Sequence, residues 1–158
     1  MDSLARAAGR ALPVAAVAWA ALIVAAPWAG STAGAPGVVR WTGAGTYLAG
    51  SAICHQRPDR SFHMSGVKWP VCARCSGLYL GGAAGVLLAW LAGRRRAAVP
   101  FEAWRRLLLS TAAPTAATLA LEWWNPAWSS GLVRALSAAP LGAAFGVLLA
   151  ASMSFRVD

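Results

Sequence analysis

Uncharged, strongly apolar stretches recur four times along the chain, at residues 11–29, 75–93, 107–121 and 135–155, and the segments between them collect the charge. A bilayer core is about 30 Å thick and takes about 20 mostly apolar residues to cross as a helix, so each stretch predicts a transmembrane helix. The third is the shortest and reaches full length only by drawing in Arg106 or Glu122 at its ends, where a long or partly buried polar side chain is tolerated. The pattern predicts an all-α polytopic membrane protein with four transmembrane helices, near residues 11–29, 75–93, 106–123 and 133–154. One membrane domain then covers 1–158, with a Cys/His-rich loop at 54–75 between the first two helices.

Small residues add packing information. On the second predicted helix Gly77, Gly81 and Gly85 recur every four residues and leave one face without side-chain bulk, and Gly142 and Gly146 repeat the spacing on the fourth. Faces of this kind let helix backbones approach closely, so these two helices are expected to touch, the alternative being a homo-oligomer face. Pro114 is expected to kink the third helix. Residues 30–43, rich in Gly, Ala, Pro and Ser, read as a loop, and 44–53 as a short interfacial or re-entrant helix. Arg6 and Arg10 ahead of the first apolar run also fit a secretory signal peptide. Pro36, directly after the best small-x-small site at Ala33-Gly34-Ala35, and the length of the run favour a retained helix.

Composition agrees with a membrane protein: 58% of the residues are hydrophobic and 12% charged, against roughly 45–50% and about 25% in soluble domains. The net charge of +9 would point to nucleic acid in a soluble protein. Here the basic residues flank apolar spans, where they set orientation and meet lipid headgroups, so nucleic acid is not expected as a partner and the lipid bilayer is. Arg94, Arg95 and Arg96 with Arg105 and Arg106 form a compact basic connection that is hard to translocate. The protein is therefore expected to be a multi-pass protein of the cell membrane with its Cys/His loop on the outer side. Trp28 and Trp41, Trp123, Trp124 and Trp128, and Trp90 and Trp104 fall at the predicted interfaces, the level that indole rings prefer.

The candidate chemistry sits in that loop. All three cysteines and both histidines lie between Cys54 and Cys75: Cys54-His55-Gln56-Arg57, then His63, then Cys72-Ala73-Arg74-Cys75. Cys72 and Cys75 are spaced so that their sulfurs face one way on a helical turn, and the free amides at a helix start favour the thiolate. With Cys54 and one histidine they make a Cys3His set, the donor set of a closed tetrahedral zinc site. His55 and His63 compete for the fourth position, and strain in ligation by adjacent residues favours His63. Four helices, a long outward loop and this pair at the head of the second helix also resemble the quinone-coupled disulfide-forming membrane enzymes, which would give Arg74 the task of polarising a quinone oxygen. Such a relay uses a second cysteine pair, for which only Cys54 is available. A small transport or lipid-binding bundle is the third reading. Arg57, Arg60, Arg74 and Arg134 are candidate contacts for an anionic ligand, with Glu122 as countercharge.

Cys54-His55-Gln56, Arg60-Ser61-Phe62 and Cys72-x-Arg74-Cys75-x-Gly77-Leu78-Tyr79-x-Gly81 together resemble the signature of a prokaryotic integral-membrane family, domain of unknown function 2085. A weaker resemblance continues through Pro114, Glu122, Arg134 and Gly142. The family pattern there has Asp followed by Gly and Gln, where this chain has Glu122-Trp123-Trp124-Asn125. The resemblance implies membrane location and makes Cys54, His55, Cys72 and Cys75 part of the family pattern, which moves the fourth-ligand choice to His55. It implies no activity.

Overall fold

The computed structural model describes residues 2–32, 34–92, 100–125 and 128–154, with side chains described from residue 11 to residue 152. Five helices form among the described residues, against four transmembrane helices expected: α1 (Asp2–Ser31), α2 (Gly37–Ile53), α3 (Ala73–Leu91), α4 (Phe101–Trp124) and α5 (Gly131–Ser154). The addition is α2. Much of the stretch read as a loop over 30–43 is helical, because α1 continues to Ser31 and α2 begins directly after Pro36, whose φ of −52° and missing N–H suit a helix entrance. Small residues let α2 fold back on α1: a Cβ at Gly43 would stand 3.2 Å from that of Ala29.

Three helices are long and apolar enough to cross a membrane among the described residues: Ala11–Ser31 in α1, Ala73–Leu91 in α3 and Gly131–Ser152 in α5. Of the four helices expected to cross, α4 does not meet this measure. In α4 the apolar character is diluted by Ser110, Thr111, Pro114, Thr115 and Glu122, and the helix starts early enough to include Glu102 and Arg105, paired at 2.8 Å. The basic connection at Arg94, Arg95 and Arg96 lies outside the described residues.

The 54–75 segment is more ordered than a loop. A 3-10 turn, Pro58–Arg60, leads into a two-stranded antiparallel hairpin of β1 (Ser61–Met64) and β2 (Val67–Cys72). Ser65 and Gly66, with φ of 50° and 80°, make the two-residue reversal between Met64 and Val67; paired positive φ values give a turn whose twist matches that of the strands. β2 then runs into α3 without a break, so Cys72 is both the last strand residue and the residue before the helix. Pro70, Val71 and Cys72 are buried, and β2 packs against both α1 and α2. Phe62 meets Trp69 edge to face at 5.2 Å and closes over Gly131 at the start of α5.

The most extensive helix contact joins α3 and α5. Gly77, Gly81 and Gly85 lie against Ala135, Ala139 and Ala143, while Gly142 and Gly146 lie against Leu78 and Gly82. The residue numbers rise together on both helices, so α3 and α5 run parallel. The small-residue face weighed as a homo-oligomer surface is thereby occupied within one chain. α4 packs on α5, and α1 on the other side of α3, where Trp19 meets Tyr79 at 5.9 Å. Large apolar side chains such as Val14, Leu88, Leu109, Leu136 and Phe145 point outward, a distribution that suits lipid rather than water.

Candidate metal centre and an adjoining ion cluster

Three elements bring the thiols together. α2 ends at Ile53, and the N–H of Cys54 still donates to the Gly50 carbonyl (2.9 Å), so the helix end holds the Cys54 backbone. Gly50 has no side chain where the Pro70 carbonyl of β2 comes close; a Cβ there would stand 3.2 Å from the Pro70 carbonyl carbon. The chain then turns through Gln56, in the left-handed region at φ 49°. The Gln56 amide donates to the carbonyls of Tyr47 and Pro70, both at 2.8 Å, and the Lys68 ammonium donates to the Gln56 backbone carbonyl (2.9 Å) and side-chain oxygen (3.2 Å). The Tyr47 hydroxyl donates to the Lys68 carbonyl. These bonds fasten α2 to β2, and the N–H of Cys72 donates to Cys54 Sγ at 3.2 Å.

The ligand atoms of Cys54, His55 and Cys72 all lie within 4.8 Å of one another. Cys75, one helical turn along α3, is not part of that 4.8 Å group, and its side chain and backbone N–H act on the Cys72 thiol. All three cysteines are free thiols. Hydrogen bonding from the Cys75 side chain, with the Cys75 amide, the Cys54 thiol and nearby His55 adding to it, pushes the Cys72 thiol down to about 5 against the opposing effect of burial. The N–H of Arg57 donates to His55 Nδ1 at 3.1 Å and orients the ring. His63 stands exposed on β1 opposite Lys68 and is not part of this group.

The five charged candidates divide into two sets. Arg57 and Arg60 are on the surface and share Asp59, at 3.0 and 3.8 Å; the hydrogen bond from Arg57 holds the Asp59 carboxyl below the usual range. Arg74, Glu122 and Arg134 instead form a buried cluster. Glu122 Oε1 accepts from Arg74 (2.9 Å), from Arg134 (3.1 Å) and from the Ser129 hydroxyl. Arg74 also donates to Thr118 (3.3 Å), which meets Ser137 (3.2 Å), and Arg134 donates to the Asp59 carbonyl (3.4 Å). The cluster therefore links α3, α4 and α5 to the 3-10 turn that precedes the hairpin. Arg74 lies between Cys72 and Cys75 in the chain, so the thiol group and the ion cluster share one helical turn.

Tyr47 and Ser129 are the residues here that sequence reasoning does not single out; both are ordinary polar residues, and the partner of Tyr47 lies 21 residues away.

Among known proteins, an uncharacterised protein of Methanocaldococcus jannaschii is 50% identical over 42 residues, 27% of this chain and 27% of the relative. An uncharacterised protein of Methanothermobacter thermautotrophicus is 49% identical over 39 residues, 25% of this chain and 35% of the relative. The matched stretches thus span about a quarter and about a third of the relatives' lengths. No solved structure matches the chain. Residues 54–148, from the first cysteine into α5, match the family described as predicted membrane protein (DUF2085), and the chain belongs to that family.

Proposed function

We propose that the protein is a membrane bundle whose extramembrane hairpin is stapled by one metal ion, zinc, held by Cys54, His55, Cys72 and Cys75 on the outer side of the cell membrane. The observation that carries this reading is the convergence of the Cys54, His55 and Cys72 ligand atoms within 4.8 Å, with Cys75 one helical turn along α3 from Cys72. Three thiolates and an imidazole are the donors of a closed tetrahedral zinc site. Zinc is favoured over iron or copper because a structural site needs no redox partner. Four crossings, by α1, α3, α4 and α5, complete the reading, with α2 and the hairpin outside the core. Elemental analysis of reduced, detergent-purified protein is expected to give about one zinc per chain and near none in Cys72→Ser. Protein that stays metal-free when purified reduced and supplied with zinc sinks the proposal.

The acidified Cys72 thiol, one helical turn from Cys75, also favours a second reading, a thiol-disulfide centre coupled to a quinone. Cys72 and Cys75 would lose two electrons and two protons to form one disulfide, reducing the quinone to quinol. A metal that blocks alkylation of both thiols decides against it.

A further inference from the structure

Among the described residues, two buried side-chain polar atoms have no hydrogen-bond partner, Arg74 Nε and Glu122 Oε2, and both belong to one ion pair. The charges around them do not cancel. Glu122 is shared by Arg74 and Arg134, so the cluster carries one net positive charge, with the Glu122 and Arg134 side chains only 4% and 8% exposed. Buried charge is retained when it is paired, and an unmet buried donor or acceptor is destabilising. Whatever completes the cluster accepts from Arg74 Nε, donates to Glu122 Oε2 and is negative.

We infer that Arg74 and Glu122 form a binding site for a phosphate group that carries a hydroxyl. A phosphate oxygen accepts from Arg74 Nε, and a P–OH or an alcohol beside the phosphate donates to Glu122 Oε2. Guanidinium is suited to phosphate, and a carboxylate beside it admits only a phosphate that brings a proton. The position fits the headgroup level: Glu122 lies near the end of α4, followed by the exposed Trp123, Trp124 and Trp128. Arg57 and Arg60 exceed Asp59 by one positive charge and add to the attraction of an anion. Arg74 keeps 15% exposure, more than Glu122, and forms the side on which the ligand enters. Two sources share this chemistry, free hydrogen phosphate and the headgroup of a hydroxyl-bearing anionic lipid. The inference does not depend on the metal.

The test uses the full chain in lipid-free detergent near neutral pH, with thermal unfolding and tryptophan emission read against inorganic phosphate and against sulfate, which has no proton to donate. In a parallel arm the protein is placed in phosphatidylcholine vesicles with and without phosphatidylglycerol. Stabilisation by phosphate, with sulfate at least about tenfold weaker, is the result expected for a free anion. Stabilisation by phosphatidylglycerol alone assigns the site to a lipid headgroup. Arg74→Lys keeps the charge but loses Nε, and is expected to weaken the responding ligand about tenfold. Equal responses to phosphate and sulfate, or no response to phosphate or phosphatidylglycerol, overturn the inference. The comparisons on unaltered protein decide even if Arg74→Lys fails to fold. Zinc content, measured on the same samples, separates this result from the fate of the metal centre.

Discussion

The acidity of Cys72 has consequences that need no bound ligand to measure. Its folded value of about 5 lies below the ordinary thiol value of 9.0, so the ionised form stabilises the fold. That contribution is complete above the ordinary value, shrinks as pH falls, and is gone once pH drops through the folded value. In chelator-stripped, reduced protein, thiolate absorbance is expected to persist at neutral pH, titrate away near pH 5, and be missing from Cys72→Ser. Thiolate absorbance that vanishes in the ordinary thiol range would contradict the assignment. The spacing of Cys72 and Cys75 is readable from sequence because one helical turn aligns them, and it is this pair that marks the head of α3. How Cys54 reaches them is not readable locally. It depends on Gln56 in a left-handed conformation, on Gly50 admitting the Pro70 carbonyl, and on Lys68 returning to Gln56, all contacts made across the hairpin. His63 illustrates the same limit: strain against adjacent ligands is a sound local argument, but β1 holds His63 exposed opposite Lys68, away from the group.

Among the elements, the apolar runs locate α1, α3 and α5 because uncharged length is a strong signal, insensitive to tertiary detail. The hairpin escapes such a reading because Val67-Lys68-Trp69-Pro70 has no clean alternation and β2 is covered by α1 and α2 rather than by a sheet. Its one local signal is the Ser65-Gly66 turn. Only the 44–53 part of α2 is legible, because Gly37 and Gly43 lower helix propensity and Pro36 with its small neighbours looks like a loop, while the contact of Gly43 with Ala29 rewards the helix only after α1 is in place. The α3–α5 contact makes a sharp prediction. A Cβ at Gly81 would stand 2.9 Å from the carbonyl carbon of Ala139 and 3.0 Å from its Cα, so backbone must move. One residue on, a Cβ at Gly82 would meet the Gly142 carbonyl oxygen at 3.6 Å, an ordinary contact. Gly81→Ala is expected to destabilise the bundle by about 1–3 kcal/mol, and Gly82→Ala to leave stability unchanged or raise it by up to about 1 kcal/mol. Thermal unfolding in detergent reads both, and equal effects would mean that α3 and α5 are not packed backbone to backbone.

At the scale of the whole molecule the status of α4 determines the topology. Its hydropathy leaves it outside the three apolar spans, yet its placement follows theirs. Arg74 near the start of α3, Glu122 near the end of α4 and Arg134 near the start of α5 meet in one cluster, so α4 runs antiparallel to two parallel neighbours and begins near their far ends. It has 24 residues, and at about 1.5 Å per residue its length, roughly 36 Å, suffices to cross a bilayer core. Its polar side chains are largely spent inside the bundle: Thr115 donates to the Ser137 carbonyl at 2.8 Å, Thr118 meets Ser137, and Glu122 lies between two guanidiniums. Hydrogen bonds of this kind offset the cost of polar groups at membrane depth. Leu107, Leu109, Leu119 and Leu121 are exposed along α4 and would meet lipid in a crossing helix. With four crossings, a label placed between α1 and α2 at residues 34–36 and a label following α5 emerge on opposite sides of the membrane. With three crossings, α4 lying outside the core, they emerge on the same side. Side-specific labelling of intact cells is expected to find them on opposite sides, the 34–36 label outside with the hairpin, and detection of both labels on one face would remove α4 from the membrane.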